Sequence, residues 1–409
     1  MKSRHQIYKP VFIFFAVLFL AACAPGKSNP GRLLRVTNQL SAALWQDLPI
    51  GTEIIEQFEK KTSSRVQWQA GAEEETLLAI AAAGALAPDV IIAHSNYMPN
   101  WIEKDLMLDL APHLKSWDNQ AFLAGFKAIE GFSGRPYFLP IAADVYLTCL
   151  NKEALAYLPD GVDVQNITWK QMAQWSLAIR KEVGVGKFAV TGAPQKSLLH
   201  FAGAVTLSYG GGFPDLSSTG AQAAWALLAQ MKDAFAPAVM TYDNLAAPML
   251  AENAWIMVGH SSEVFEVYRS DPERYIVAPP PKGSFGMGSV VAAWGAGIVK
   301  DTRRHVLAAE FIEFLITPAV QADIARGFQA NVPAVRSAVD FLGDDAVVMK
   351  RAAFAFENSI RAELPVSPHT SAALKAIYDG AFWTIVIDEA AIDRWFLKMA
   401  QEGIDQLSY

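Results

Sequence analysis

The segment Gly259-His260-Ser261-Ser262-Glu263 places an imidazole, two hydroxyls and a carboxylate next to each other in the sequence. It begins like the G-x-S-x-G turn, in which a histidine activates a serine nucleophile. Glu263 stands where that turn needs its second glycine, and adjacent residues of an extended segment point to opposite faces. A membrane-anchored hydrolase that uses Ser261, His260 and Glu263 is therefore an alternative that the spacing disfavours.

Other local motifs of nucleotide and metal chemistry are incomplete. Lys181 stands where a phosphate loop ending at Gly186-Lys187 needs its first glycine, and Val291 replaces the third glycine of a dinucleotide fingerprint. The seven histidines are scattered, and no two have the i, i+4 spacing that places two metal ligands on one helical face. The sequence predicts no enzyme, no cofactor and no metal, although a metal site assembled from distant residues is left open.

Cys23 indicates a different chemistry, the attachment of lipid. An apolar stretch of about a dozen residues follows a basic start, which is typical of a secretory signal and too short to span a bilayer. Leu20-Ala21-Ala22-Cys23 looks like the bacterial lipobox, which implies cleavage before Cys23 and acylation of that residue. We expect residues 1–22 to be a lipoprotein signal peptide and residues 23–32 to form a lipid anchor and tether at the cell envelope.

The composition excludes some partners. Removal of residues 1–22 takes away three of 34 basic side chains and none of 41 acidic ones, which leaves 31 against 41 and a net charge of −10. Such a charge argues against a nucleic-acid partner. The chain is long and apolar enough for two lobes with large cores, and nothing predicts an oligomer. Cys149, the remaining thiol, lies in an apolar stretch that predicts a buried structural cysteine.

The predicted elements alternate between strands and helices. Residues 33–37 and 65–69 are predicted strands on either side of a helix, and residues 89–93 are a buried strand that follows a helix at 76–83. Thr168-x-x-Gln171 has the spacing of a capping box at the start of a helix. This alternation predicts an α/β fold with a parallel, doubly wound sheet.

The order of these segments resembles that of the family 1 extracellular solute-binding proteins, receptors that deliver ligands to ABC importers. Leu86-Ala87-Pro88-Asp89-Val90 looks like the family's entry to its third strand. Residues 135–140 followed by 146–152 resemble the first crossover between lobes, and residues 295–298 with 309–321 resemble the second return to the first lobe. The match covers nearly the whole mature chain.

The resemblance implies a two-lobed periplasmic-binding-protein fold, in which doubly wound sheets are joined by three hinge crossovers and enclose a ligand. It places residues 33–141 and 293–331 in the N-lobe, and residues 142–292 and 332–409 in the C-lobe. It also implies an extracytoplasmic receptor with a small-molecule ligand and an ABC importer permease as partners. Closure can report binding only if both lobes contact the ligand.

In doubly wound sheets, ligands lie beyond the carboxyl ends of strands, so candidate contacts follow predicted strands, crossovers and a glycine-rich turn. They are Trp45, Ser95, Asn96, Tyr97, Asp144, Tyr209, Gly210, Gly211, His260, Ser261, Trp294 and Arg336. His94 directly follows the predicted strand at 89–93 and belongs to the same short list of positions. Asp144 is expected in the cleft because an unpaired buried carboxylate is costly. Trp45 and Trp294 fit a cleft and a core equally well, and His260 fits either a ligand contact or a loop.

Carbohydrate is the first ligand class that these side chains predict. Polar groups would bind its hydroxyls, and aromatic faces would cover its C–H surface. Sugar-binding relatives commonly carry an aromatic residue two positions after the glycine that ends the strand at Gly259, and Ser261 stands there instead. A polyol or a glycerophosphate-like ester is therefore the alternative ligand, with Arg336 or His260 available to an anion.

Overall fold

The computed structural model describes most of the chain from residue 33 onward. The described residues are 33–38, 49–70, 88–114, 121–123, 126, 135–327, 332–343, 346–363, 368–388 and 394–407. The predicted signal peptide, Cys23, the tether, the helix predicted at 76–83 and Trp45 lie outside these residues.

Strands and helices alternate along the described residues. The strands are β1 (Leu33–Asn38), β2 (Arg65–Ala70), β3 (Val90–His94), β4 (Phe138–Asp144), β5 (Tyr146–Asn151), β6 (Phe188–Ala189), β7 (Ile256–His260), β8 (Tyr275–Ala278), β9 (Met287–Ile298), β10 (Val332–Pro333) and β11 (Ser359–Glu363). The helices are α1 (Pro49–Thr62), α2 (Met98–Glu103), α3 (Trp169–Val183), α4 (Leu198–Ser208), α5 (Thr219–Gln230), α6 (Ala246–Leu250), α7 (Ser261–Ser270), α8 (His305–Leu315), α9 (Pro318–Gly327), α10 (Val347–Asn358), α11 (Pro368–Phe382) and α12 (Arg394–Asp405).

Local sequence signals account for several of these elements. The predicted strands at 33–37, 65–69 and 89–93 are confirmed as β1, β2 and β3. The capping box at the start of α3 is also confirmed, because the Gln171 backbone N donates to Thr168 Oγ1 and the Thr168 backbone N donates to Gln171 Oε1. Among the described residues, no single helix is long and apolar enough to cross a bilayer. The pair α8 and α9 has the required length and composition only when taken together, and it is bent by 73°.

The described strands form two sheets. The larger has the order β10-β4-β9-β3-β1-β2 with β11 also paired to β9, and the smaller has the order β6-β7-β5-β8. β1 is parallel to β2 and β3, as the alternation predicts, but β9 runs antiparallel to β3 and β4. The larger sheet is therefore mixed. β9 is antiparallel to β3 and β4 but parallel to β11.

The two sheets meet where β4 continues into β5 through the single residue Val145. Beside this connection, β9 changes partners. β11 pairs with it as far as Val291, whereas β4 pairs with it from Ala292 onward and β3 from Trp294 onward. β10 lies on the other side of β4. We call the region formed by residues 144–146 and 292–294 the sheet junction. The lobe boundaries given above stay predictions.

The core is built mainly from apolar and aromatic side chains. Trp175 and Trp225 are fully buried, and the partly buried Trp68 and Trp255 pack against the core clusters. Trp175 Nε1 donates to the Ala154 carbonyl, which satisfies the N–H of this buried indole. These four tryptophans are core residues, as their apolar surroundings in the sequence predict.

Cys149 is buried and unpaired in the middle of β5, as predicted. Burial raises the pKa of its thiol far above the ordinary value, and only the thiolate is a good nucleophile. We expect iodoacetamide to label Cys149 at least about 100-fold more slowly in the native protein than in urea. Peptide mass spectrometry after timed labelling would check this, and equal rates in the two states would show that β5 is accessible.

Candidate functional site

The sheet junction collects polar and aromatic side chains from the ends of several strands. His94, the last residue of β3, pairs in register with Trp294, and their rings meet edge to face with centroids 5.4 Å apart. Asp144 ends β4, and His260 ends β7 opposite Tyr146 at the start of β5. Residues from both sheets therefore converge at one place, which agrees with the rule that sites lie beyond strand ends.

Asp144 is only 7% exposed and is held by a network of hydrogen bonds. Ser261 Oγ donates to its Oδ1 and Ser262 Oγ donates to its Oδ2, both at 2.6 Å. The backbone N atoms of Val145 and Ser262 also donate to Oδ1. The carboxylate lies at the N-terminus of α7, where the helix dipole stabilises a negative charge. The burial of Asp144 is thus compensated within the protein, and Asp144 fastens α7 to the sheet junction.

His260 stands between a second imidazole and this carboxylate. Its Nε2 lies 3.4 Å from His200 Nδ1, with the two rings perpendicular. Its Nδ1 lies 3.8 Å from Asp144 Oδ2 and is buried without a hydrogen-bond partner. The Tyr146 ring packs against His260 with centroids 4.8 Å apart. A buried ring nitrogen without a partner leaves a hydrogen-bonding position for a ligand or water.

Three imidazoles influence one another here. Burial, together with a smaller effect of the charge of His260, lowers the pKa of His94 to about 4. Burial also holds the pKa of His200 well below its usual value, with further lowering from His260, Lys375 and His94. His94 ends a strand of the larger sheet, His260 ends a strand of the smaller sheet, and His200 lies on α4. The cluster therefore combines strand ends of both sheets and carries neutral rings at His94 and His200 near pH 7.

The residues of the hydrolase alternative are not arranged for catalysis. Ser261 is 0% exposed, and its hydroxyl donates to Asp144 rather than to His260. Glu263 accepts from the backbone N atoms of Leu245 and His260, so it caps α7 and does not orient an imidazole. Within the part of the chain that the structure describes, no group of three or more His, Cys, Asp or Glu side chains could hold a metal ion.

Ser95, Asn96 and Tyr97 form a short helical turn directly after β3, at the edge of the sheet junction. The Tyr97 ring stacks on Trp101 with centroids 6.4 Å apart and also meets His94 edge to face. The side chain of Asn96 is outside the described part of the structure. The backbone of this predicted segment lies next to His94.

The glycine-rich turn lies far from this cluster. Tyr209 follows the end of α4, and His200 lies near its start, so the two are about 13 Å apart along the helix. Gly210 has φ +80°, and a side chain there would lie 2.6 Å from the Phe285 ring. A side chain at Gly211 would lie 2.5 Å from Thr206. Close packing of the turn accounts for Gly210 and Gly211.

Arg336 is also set apart from the cluster. Its guanidinium forms an ion pair with Glu357, and its backbone N donates to the Ala121 carbonyl. The cation is therefore already engaged, and the structure does not bring it to His260.

The predicted set omits three polar residues that the structure places around the cluster: His200, Glu363 and Lys375. His200 and Lys375 lie on helices, for which the rule about strand ends gives no signal. Glu363 is the last residue of β11 and pairs in register with Val291 beside the sheet junction. The same rule could have selected Glu363 if β11 had been predicted as a strand.

Comparison with known proteins fits this architecture. A family model described as bacterial extracellular solute-binding protein matches residues 53–355. The chain belongs to this family. It is therefore a solute-binding receptor of an ABC importer that acts outside the cytoplasm, and family and fold are those of binding proteins.

Individual relatives differ in what their names say they bind. The putrescine/cadaverine-binding protein of Pseudomonas aeruginosa is 26% identical over 297 residues, which cover 71% of this chain and 77% of that protein. The sugar-binding protein MalE of Xanthomonas citri has a TM-score of 0.74 and 18% identity, over 92% of this chain and 97% of its own. The GacH receptor of Streptomyces glaucescens, solved with acarbose, has a TM-score of 0.72 and 16% identity, over 92% and 98%. The two structures establish the two-lobed fold.

Proposed function

We propose that this receptor encloses a carbohydrate between its two lobes and delivers it to an ABC importer, while a lipid on Cys23 holds it at the cell envelope. The observation that carries the carbohydrate proposal is the mixture of groups at the sheet junction. Neutral imidazoles can both donate and accept hydrogen bonds, and His260 Nδ1 has no partner. Trp294 adds an aromatic surface beside them. This combination suits a ligand with many hydroxyls and no charge.

The number of available carboxylates also favours a neutral ligand. Both oxygens of Asp144 accept hydrogen bonds from serines, and both oxygens of Glu263 accept from backbone N atoms. Glu363 is the one carboxylate at the sheet junction, among the described residues, that no such network engages. A diamine carries two ammonium groups, and each needs a negative or strongly polar partner when buried. The two sugar-binding structures compared above support the same reading.

A diamine is the second candidate, because the named relative from Pseudomonas aeruginosa binds putrescine and cadaverine. Glu363 would then pair with one ammonium group. A polyol would use the same contacts as a sugar. A glycerophosphate-like ester loses the support of Arg336, whose guanidinium already pairs with Glu357.

A thermal-shift screen of the mature protein tests the proposal. The panel contains maltose, trehalose, glucose, glycerol, glycerol 3-phosphate, putrescine and cadaverine, each at several concentrations at pH 7.5. A ligand at 100 times its dissociation constant stabilises the folded state by about 2.7 kcal/mol, so the unfolding midpoint rises with concentration. We expect a sugar to give the largest rise. A rise only with diamines would replace carbohydrate by the second candidate, and no rise with any compound would contradict both.

A further inference from the structure

Two polar side chains, Ser95 and Glu363, lie near each other on segments that pair with the two halves of β9. Ser95 follows β3, which pairs with β9 beyond the sheet junction, and its Oγ is buried without a hydrogen-bond partner. Glu363 ends β11, which pairs with β9 before the sheet junction. The Ser95 hydroxyl is near enough to lower the pKa of Glu363, yet the two groups do not meet in a hydrogen bond of normal geometry.

The carboxylate of Glu363 has no ion pair in the described structure. The nearest basic residue along its strand, Arg361, lies over the Phe356 ring and donates to the Phe356 carbonyl. Lys375 on α11 interacts with Asp379, one helical turn further on. Burial is the main effect on Glu363 and raises the pKa of its carboxyl group. A partly buried acid without a cation lowers stability, and such groups are concentrated at functional sites.

We infer that Glu363 and Ser95 form a subsite of the ligand cleft that binds a hydrogen-donating group of the solute, either a sugar hydroxyl or an amine. A hydroxyl can donate to the carboxylate and accept from Ser95 Oγ, which satisfies both protein groups at once. An ammonium group can donate to both oxygens. In each case one ligand group ties β11 to the turn after β3, which stabilises the closed arrangement. This inference rests on the proposed receptor function and adds a specificity-determining residue, Glu363, to it.

The test compares E363Q and S95A with the wild-type mature protein and with E273Q. Glu273 is an exposed acid before β8, so E273Q controls for the loss of one negative charge. Dissociation constants are measured by calorimetry at low and high salt, with whichever panel compound gives the largest thermal shift in the wild type. The unfolding midpoint of each variant is measured without ligand.

We expect E363Q to weaken binding about 10- to 100-fold, the effect of losing a hydrogen bond to a charged acceptor, while E273Q changes nothing. The unliganded midpoint of E363Q should equal or exceed that of the wild type, because a partly buried charge without an ion pair is removed. A purely structural acid would instead lower the midpoint. If the ligand is a diamine, its binding should weaken at high salt, whereas sugar binding should not.

The outcomes separate the two proposals. Unchanged ligand affinity in E363Q, whatever its unliganded midpoint, would overturn the subsite and leave the receptor function intact. Failure of every panel compound to bind the wild-type protein would contradict the proposed function, and the subsite would fall with it.

Discussion

Replacement of Asp144 by alanine is expected to lower the free energy of unfolding by about 3 kcal/mol. The change removes four hydrogen-bond acceptor contacts, and it leaves the Ser261 hydroxyl buried without a partner. It also removes the negative charge at the N-terminus of α7. Urea unfolding of the unliganded protein at pH 7.5, followed by circular dichroism, measures the effect.

Two variants distinguish this anchoring role from ligand contact. D144N keeps one acceptor oxygen and the side-chain shape, so we expect it to cost about 1 kcal/mol. D301A removes an exposed acid after β9 and should leave stability within about 0.5 kcal/mol of the wild type. If D144A were as stable as the wild type but bound no ligand, Asp144 would act as a ligand contact and not as an anchor.

The parts of the fold that the sequence predicts best are those set by short-range signals. The strand signal of residues 33–37, the alternation of residues 65–69 and the capping box at Thr168 depend only on neighbours along the chain. The structure confirms all three elements. The direction of β9 has no such signal. It depends on which strands β9 meets, and its partners β3 and β4 lie about 150 to 200 residues earlier in the chain.

The difference between short-range signals and long-range contacts also explains which features of the candidate site the sequence predicts. Strand ends select His94, Asp144 and His260 as candidates, because a strand end is visible in the sequence. What each of them contacts is not visible: Ser261 and Asp144 are separated by 117 residues, and His200 and His260 by 60. The sequence therefore predicts Asp144 as an unpaired cleft acid, whereas tertiary structure supplies the serine hydroxyls that compensate its charge.

The glycine-rich turn after α4 shows the limit of composition as evidence. Glycines next to an aromatic residue are typical both of ligand-lining loops and of tightly packed turns. The positive φ of Gly210 and the closeness of Phe285 supply a packing reason for the glycine that the sequence alone could not distinguish. Function at this turn stays a prediction.

The histidine cluster makes the stability of the receptor depend on pH. His94 has a folded-state pKa of about 4, below the ordinary value of 6.5, because burial and then the charge of His260 disfavour the protonated ring. Between these two values the unfolded state binds more protons than the folded state. The contribution of the neutral His94 ring to the free energy of unfolding is therefore fully present above about pH 6.5. It falls by about 3 kcal/mol as the pH is lowered from 6.5 to 4. His200 changes stability in the same direction.

Two acids act against this trend. Burial raises the pKa of both Glu263 and Glu363, so the folded state holds their protons at higher pH than the unfolded state does. Their contribution to stability increases as the pH falls, which partly masks the histidine effect in the wild-type curve. A difference between two proteins that share these acids isolates His94.

We expect the H94N variant to lose less stability than the wild type on acidification. Between pH 7 and pH 4.5 the difference in unfolding free energy between the two proteins should change by about 2 kcal/mol in favour of H94N. Urea unfolding at four pH values measures this change. H305N is the control, because His305 is exposed and its described aromatic contact is with the His113 ring, away from the sheet junction. H305N should follow the wild-type curve. Parallel curves for H94N and the wild type would show that His94 is not held neutral at the sheet junction, and the cleft would then lack the uncharged imidazole on which the choice of a neutral ligand depends.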